Sequence, residues 1–167
     1  EIISKWCFKN QCLLIHYSSD YVFSGRGNLP KKETSKTKPL NFYGLTKLQG
    51  DTSIKHSGAN SIILRCSWVY SVSHSSFLKT MLTKMKTEKE LRVVTDQIGT
   101  PTSARWIANI TQELIKMKSL PAGCNLINCN PNGYGSWYKF SKVIFEILKN
   151  KGFRLKTKNI IPITSDM

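Results

Sequence analysis

The sequence predicts an α/β fold built on a parallel sheet. Two observations predict it: short, nearly continuous apolar runs of strand length, and longer stretches between them with apolar residues at helical spacing. Their regular alternation is the pattern of strand–helix–strand crossovers, which are right-handed.

Each element has its own signal. Glu1 to Asn10 reads as the end of a helix, and Cys12 to Ser18 as the first strand. A lysine-rich, proline-bounded loop from Gly25 to Pro39 is the longest irregular segment. The stretch Phe42 to Ser57 is helical and stops at Gly58, the residue type that most readily closes a helix in a left-handed conformation. Ser61 to Cys66 is a strand. Phe77 to Lys86 is a helix carrying Phe77, Met81, Leu82 and Met85 as a core stripe, and Leu91 to Thr95 is a strand. Ser103 is placed to cap a helix to about Met117, with Trp106, Ile107, Ile110, Leu114 and Ile115 on one side. Asn125 to Cys129 and Ile160 to Ile163 are the remaining strands, and a helix capped by Ser136 runs to about Asn150 before Gly152. Such continuous apolar strands are expected to be buried on both faces or to be short connectors. Without repeats or low-complexity linkers, residues 1–167 read as a single domain, long enough for a real core.

Composition excludes several classes. No apolar run approaches the roughly 18 residues of a membrane span, so no membrane partner is expected. Five cysteines (Cys7, Cys12, Cys66, Cys124 and Cys129) are odd in number and lack CxxC spacing, which reads as free thiols in a reducing, cytoplasmic setting. His16, His56 and His74 show no paired spacing, so no protein-built metal site is expected. The 25 Lys and Arg against 10 Asp and Glu give a net charge of +15, which raises the question of nucleic acid. The basic residues cluster over Lys31 to Lys38, Lys79 to Lys89, Lys116 to Lys118 and Lys149 to Lys158, on loops and polar helix faces without interleaved aromatics. They read as a solvated surface that favours small anionic ligands, not nucleic acid.

The chemistry lies in a serine and a tyrosine–lysine pair. Ser19 follows the first strand, and Tyr43-Gly-Leu-Thr-Lys47 opens the next helix. A phenol has an ordinary pKa of about 10, too high for easy proton exchange near neutrality. A lysine four residues on shares its helix face and can lower that value. A neutral hydroxyl at a strand end can then hold a substrate carbonyl oxygen. Alone, this spacing also describes an ordinary solvated helix face, and Asp20 beside Ser19 equally fits the cap of a turn.

The surrounding words narrow the reading. Ser18-Ser-Asp-Tyr-Val-Phe23, Pro39-Leu-Asn-Phe-Tyr-Gly-Leu-Thr-Lys-Leu-Gln-Gly-Asp51, Leu64-Arg-Cys-Ser-Trp-Val-Tyr70, Phe77-Leu-Lys-Thr-Met-Leu82 and Leu91-Arg-Val-Val-Thr-Asp-Gln-Ile-Gly-Thr-Pro-Thr102 stand in succession. Together they resemble the dTDP-4-dehydrorhamnose reductase family, extended short-chain dehydrogenases/reductases. The resemblance runs from about residue 11 to at least residue 115 and returns at Ser136-Trp-Tyr-Lys-Phe140. Asp96-Gln97 through Pro101-Thr102 separates this family from generic sugar-nucleotide epimerases.

The resemblance implies a partial Rossmann-like parallel sheet with elements of a sugar-nucleotide-binding region. It implies that Ser19, Asp20, Tyr43 and Lys47 are catalytic, with Tyr43 as proton donor and Lys47 on the nicotinamide ribose. It places Ser19, Asp20 and Trp68 against a dTDP-sugar. The implied reaction takes the 4-keto group of dTDP-4-dehydro-6-deoxy-L-mannose to dTDP-L-rhamnose with NADPH or NADH, in a full-length protein that could be a homodimer. Departures are Ser19 for the commoner threonine, Ser24 for an aspartate before Gly25, and Asp51 for a glutamate. The Ser71-Val-Ser-His-Ser-Ser76 stretch also lacks an expected glycine and asparagine.

No GxGxxG occurs, and the ten glycines are scattered. The chain therefore reads as a truncated reductase domain, the C-terminal part of the cofactor-binding sheet plus substrate-binding elements. Two other readings stay open: a non-catalytic sugar-nucleotide-binding or regulatory subunit resembling the methionine adenosyltransferase beta subunit, and an inactive remnant.

Overall fold

A computed structural model describes residues 1–27, 29–117 and 120–166; Lys118 of the third basic cluster and Met167 lie outside the described residues. In chain order the elements are α1 (Ile2–Lys9), β1 (Leu14–Ser19), a 3-10 turn (Asp20–Val22), α2 (Phe42–His56), β2 (Ser61–Cys66) and β3 (Val69–Tyr70). There follow α3 (Phe77–Thr87), β4 (Glu90–Val94), β5 (Ile98–Gly99), β6 (Thr102–Ser103) and α4 (Ala104–Lys116). The chain ends with β7 (Cys124–Asn128), β8 (Gly135–Ser136), α5 (Trp137–Asn150) and β9 (Asn159–Ile163). They form two compact units, residues 1–67 with 110–130, and residues 68–109 with 131–167.

The first unit holds a parallel sheet in the order β1–β2–β7, with Leu14 opposite Ser61 and Ser61 opposite Cys124. Full burial applies to β2 alone, where Ile62, Ile63 and Leu64 are closed to solvent. Of the two expected kinds of strand, burial on both faces describes β2, while β1 and β7, which flank it, are only partly buried. Tyr17 on β1 is exposed, and every residue of β7 is half-buried. A flanking strand has backbone groups without a sheet partner on one side, and these need other bonds. On β7 the lysine-rich loop supplies them: Asn128 N–H donates to Glu33 Oε1 (2.9 Å), and Asn128 Nδ2 donates to the Lys31 carbonyl (2.8 Å). The backbone N–H of Asn128 most of all, with the backbone N–H of Glu33 itself, holds the Glu33 carboxyl below its ordinary range.

The second unit has a parallel β4–β9 pair covered by α3 and α5. Its core is Met81, Met85, Leu91, Val93, Ile144 and Leu148, so the methionine stripe of α3 is a packing face. Ser76 and Ser136 cap α3 and α5 by accepting from Lys79 N–H (3.4 Å) and Lys139 N–H (3.1 Å). Ser103 ends β6 and stands immediately before α4, at the position expected of its cap. On α4 the expected apolar side is only partly covered: Ile107 is buried, while Ile115 is 56% exposed. The pairs β3–β6 and β5–β8 span two residues each, too short to leave a periodic signal.

Candidate active site

The site in the first unit forms where strands end. Ser19 is the last residue of β1, not the first beyond it, and it caps the 3-10 turn: its Oγ accepts from Tyr21 N–H at 3.2 Å. The same hydroxyl donates to Asp20 Oδ1 at 3.2 Å. Ser67, just past β2, donates from Oγ to Asp20 Oδ2 at 2.7 Å, and its backbone N–H donates to Asn130 Oδ1 at 2.7 Å. The carboxyl ends of β1 and β2 thus converge on one carboxylate, and Asn130, just past β7, holds Ser67 in turn, at the edge where open α/β sheets receive ligands. Burial pushes the Asp20 carboxyl above its ordinary range; hydrogen bonds from Ser67, Ser19 and the backbone N–H groups of Asp20 and Tyr21 oppose that shift. Beside it the Cys66 thiol is pushed up by its hydrogen bond with Cys129 and by burial.

Helix α2 brings the phenol. Asn41 caps it, accepting from Gly44 N–H at 2.8 Å, and lets the first turn descend on the 3-10 turn. A Cβ at Gly44 would stand 2.2 Å from the Tyr21 carbonyl oxygen, so only glycine permits this approach. The Tyr43 ring meets Tyr21 edge-to-face, centroids 5.6 Å apart at 87°, and remains 50% exposed. Lys47 Nζ lies over the Tyr43 ring, 5.8 Å from its centroid, and donates to the Tyr17 carbonyl at 3.1 Å. The structure therefore gathers Ser19, Asp20, Tyr43 and Lys47 at one end of one unit.

Beneath this helix lies a buried ion pair. Asp51 Oδ2 accepts from Arg65 Nε at 3.0 Å and stands 3.0 Å from Nη2; both side chains are almost fully closed to solvent. The guanidinium also stacks over Phe23 at 5.2 Å. His16 Nε2 lies 3.9 Å from Asp51 Oδ1. Burial lowers the His16 pKa, which the Asp51 charge partly offsets. Tyr43, Lys47 and Asp51 recur every fourth residue, so the pair anchors the face that carries the site.

Trp68 belongs to the second unit. Its indole stacks on Trp137 with centroids 3.5 Å apart at 7°, and a Cβ at Gly99 would stand 2.3 Å from the same ring. Its backbone has a φ of +41°, a left-handed value uncommon for a bulky residue. Among the described residues no cluster of three or more His, Cys, Asp or Glu could hold a metal ion, and no helix is long and apolar enough to cross a membrane.

Sequence reasoning missed Ser67, Asn130, Tyr21 and the demand for glycine at position 44. Ser67 and Asn130 meet across 63 positions, which no local pattern encodes. The one available signal was that Ser67 and Tyr21 sit inside the quoted motif words.

Residues 1–167 match a family model described as the RmlD substrate binding domain. The dTDP-4-dehydrorhamnose reductase of Escherichia coli (strain K12) is 38% identical over 168 residues, covering 99% of this chain and 56% of that protein. A crystal structure of a dTDP-4-dehydrorhamnose reductase from Clostridium acetobutylicum superposes with a TM-score of 0.87 at 31% identity, covering 98% of this chain and 55% of that one. One from Bacillus anthracis in complex with NADP gives 0.87 at 28% identity, with the same coverage of 98% and 55%. The chain spans about half the length of the curated relatives it matches.

Proposed function

Because the chain belongs to the RmlD substrate binding domain family, we propose that the protein carrying it reduces a dTDP-4-keto-6-deoxy sugar, dTDP-4-dehydro-6-deoxy-L-mannose, to dTDP-L-rhamnose. The observation that carries the reading is the placement of Tyr43 and Lys47, on α2, against the 3-10 turn that Ser19 caps and Asp20 opens, secured by the contact of Gly44 with Tyr21.

A reduced nicotinamide, NADPH or NADH, would supply the hydride to C4. The residues present fit its ribose end: an ammonium has three donors, and the bond to Tyr17 uses one of Lys47's. Lys47 and the Tyr43 hydroxyl would hold the ribose. Tyr43 would give its proton to the keto oxygen, and the Lys47 ammonium would stabilise the charge left on the phenol. Ser19 would orient the keto oxygen by a hydrogen bond. Trp68 would contact the sugar nucleotide. A surface of net charge +15 favours both anionic ligands through its field. We place this chemistry in the cytoplasm, in a protein that could act as a homodimer and of which residues 1–167 form one reductase segment.

The test is an assay of the full-length protein that contains this segment, supplied with NADPH or NADH. Oxidation of the nicotinamide that requires the dTDP-4-keto-6-deoxy sugar, with dTDP-L-rhamnose as product, is expected. Nicotinamide oxidation indifferent to that sugar would overturn the proposal.

A further inference from the structure

The geometry points to Ser67 as a positioning residue that holds Asp20 so that the Ser19 hydroxyl can turn to the substrate oxygen. The inference rests on the proposed reductase reading. A serine has one proton to give. In this structure Ser19 spends it on Asp20 Oδ1, at 3.2 Å, while its oxygen accepts from Tyr21 N–H. To hold a keto oxygen, that proton must leave the carboxylate. A buried carboxylate gives up a donor at little cost only where others remain, because an unsatisfied charge out of water is expensive.

Ser67 is the strongest remaining donor. Its bond to Oδ2 is 2.7 Å, a short charge-assisted contact. It is 4% exposed, and Asn130 fixes its backbone through the N–H bond of 2.7 Å. Ser67 thus reaches Asp20 from the end of the central strand, opposite the oxygen that Ser19 uses. The titratable groups on the elements packed here are the Cys66 and Cys129 thiols at the ends of β2 and β7, Tyr21 on the turn itself, and, on α2, Tyr43 against Tyr21 and Lys47 against the Tyr17 carbonyl.

The experiment uses full-length protein with Ser67→Ala, Ser67→Cys and Ser67→Thr. Cysteine keeps the shape and weakens the donor; threonine keeps the hydroxyl. Ser67→Ala should lower kcat about tenfold, since a hydrogen bond to a charged group is lost, with KM changing far less. The carboxyl titration of Asp20, read by NMR, should move to higher pH, and the acid limb of kcat/KM should move with it. Ser67→Cys should shift all three readings in the same direction, and Ser67→Thr should restore them. An active parent whose Ser67→Ala and Ser67→Cys variants keep kcat and the Asp20 titration overturns the inference alone. A parent without reductase activity overturns the functional reading and this inference with it.

Discussion

Gly44 and Tyr21 touch backbone to backbone: the position a Cβ would take on Gly44 is 2.2 Å from the Tyr21 carbonyl oxygen. This contact sets the distance between α2 and the 3-10 turn, and so sets where the Tyr43 phenol stands relative to Ser19 and Asp20.

Gly44→Ala should therefore act on the site through the backbone. Overpacking of this kind costs about 1–3 kcal/mol. A lower melting temperature together with reduced kcat is expected from thermal unfolding and rate assays. Parent-like values of both would mean that the helix can retreat without consequence.

Asp20→Asn should separate stability from activity. Burial raises the Asp20 carboxyl above its ordinary value in the folded state. The associated stability is then fully present below the unfolded value, about pH 4, and is lost as pH rises through the folded value. At pH 8 the amide variant should be at least as stable as the parent while losing activity, and its advantage should vanish near pH 4. A variant less stable than the parent at pH 8 would contradict this sign.

Asp51→Asn should unfold the protein more readily at every neutral pH. Removing one partner from a buried ion pair costs roughly 3–5 kcal/mol, because Arg65 is left charged and closed to solvent. Asp51→Glu restores the residue type that the family resemblance leads one to expect, and denaturant titration should place it much closer to the parent. Equal losses for both variants would show that the carboxylate matters less than the volume.

Trp68→Ala should weaken binding of the dTDP-sugar and leave nicotinamide cofactor affinity nearly unchanged in calorimetric titrations. Gly99→Ala should disturb the same indole, since the new methyl overlaps the ring. Near-ultraviolet circular dichroism of the Trp68–Trp137 stack should report it. Weakened cofactor binding with unchanged sugar binding would place Trp68 on the wrong ligand.

Much of this was legible from residue order. Helices α2, α3 and α5 and strands β1, β2, β4, β7 and β9 follow apolar periods and end at caps or glycines, such as Gly58 and Gly152 at φ of +74°. The grouping of Ser19, Asp20, Tyr43 and Lys47 followed from strand–turn–helix order. What escaped was long-range: the Ser67–Asp20 bond, the Glu33 contact with β7 and the Gly99 underlay of Trp68 join positions far apart in sequence. Which strands are buried on both faces was not legible either, because an apolar run records composition, not the number of neighbours a strand acquires.

The central claim, that Tyr43 delivers the proton, is tested most directly by Tyr43→Phe in the full-length protein, with initial rates measured on the dTDP-4-keto-6-deoxy sugar. Phenylalanine keeps the edge-to-face contact with Tyr21 and removes only the hydroxyl. The account predicts turnover lower by on the order of a hundredfold or more, the usual contribution of a positioned acid. Turnover within a few-fold of the parent would contradict it.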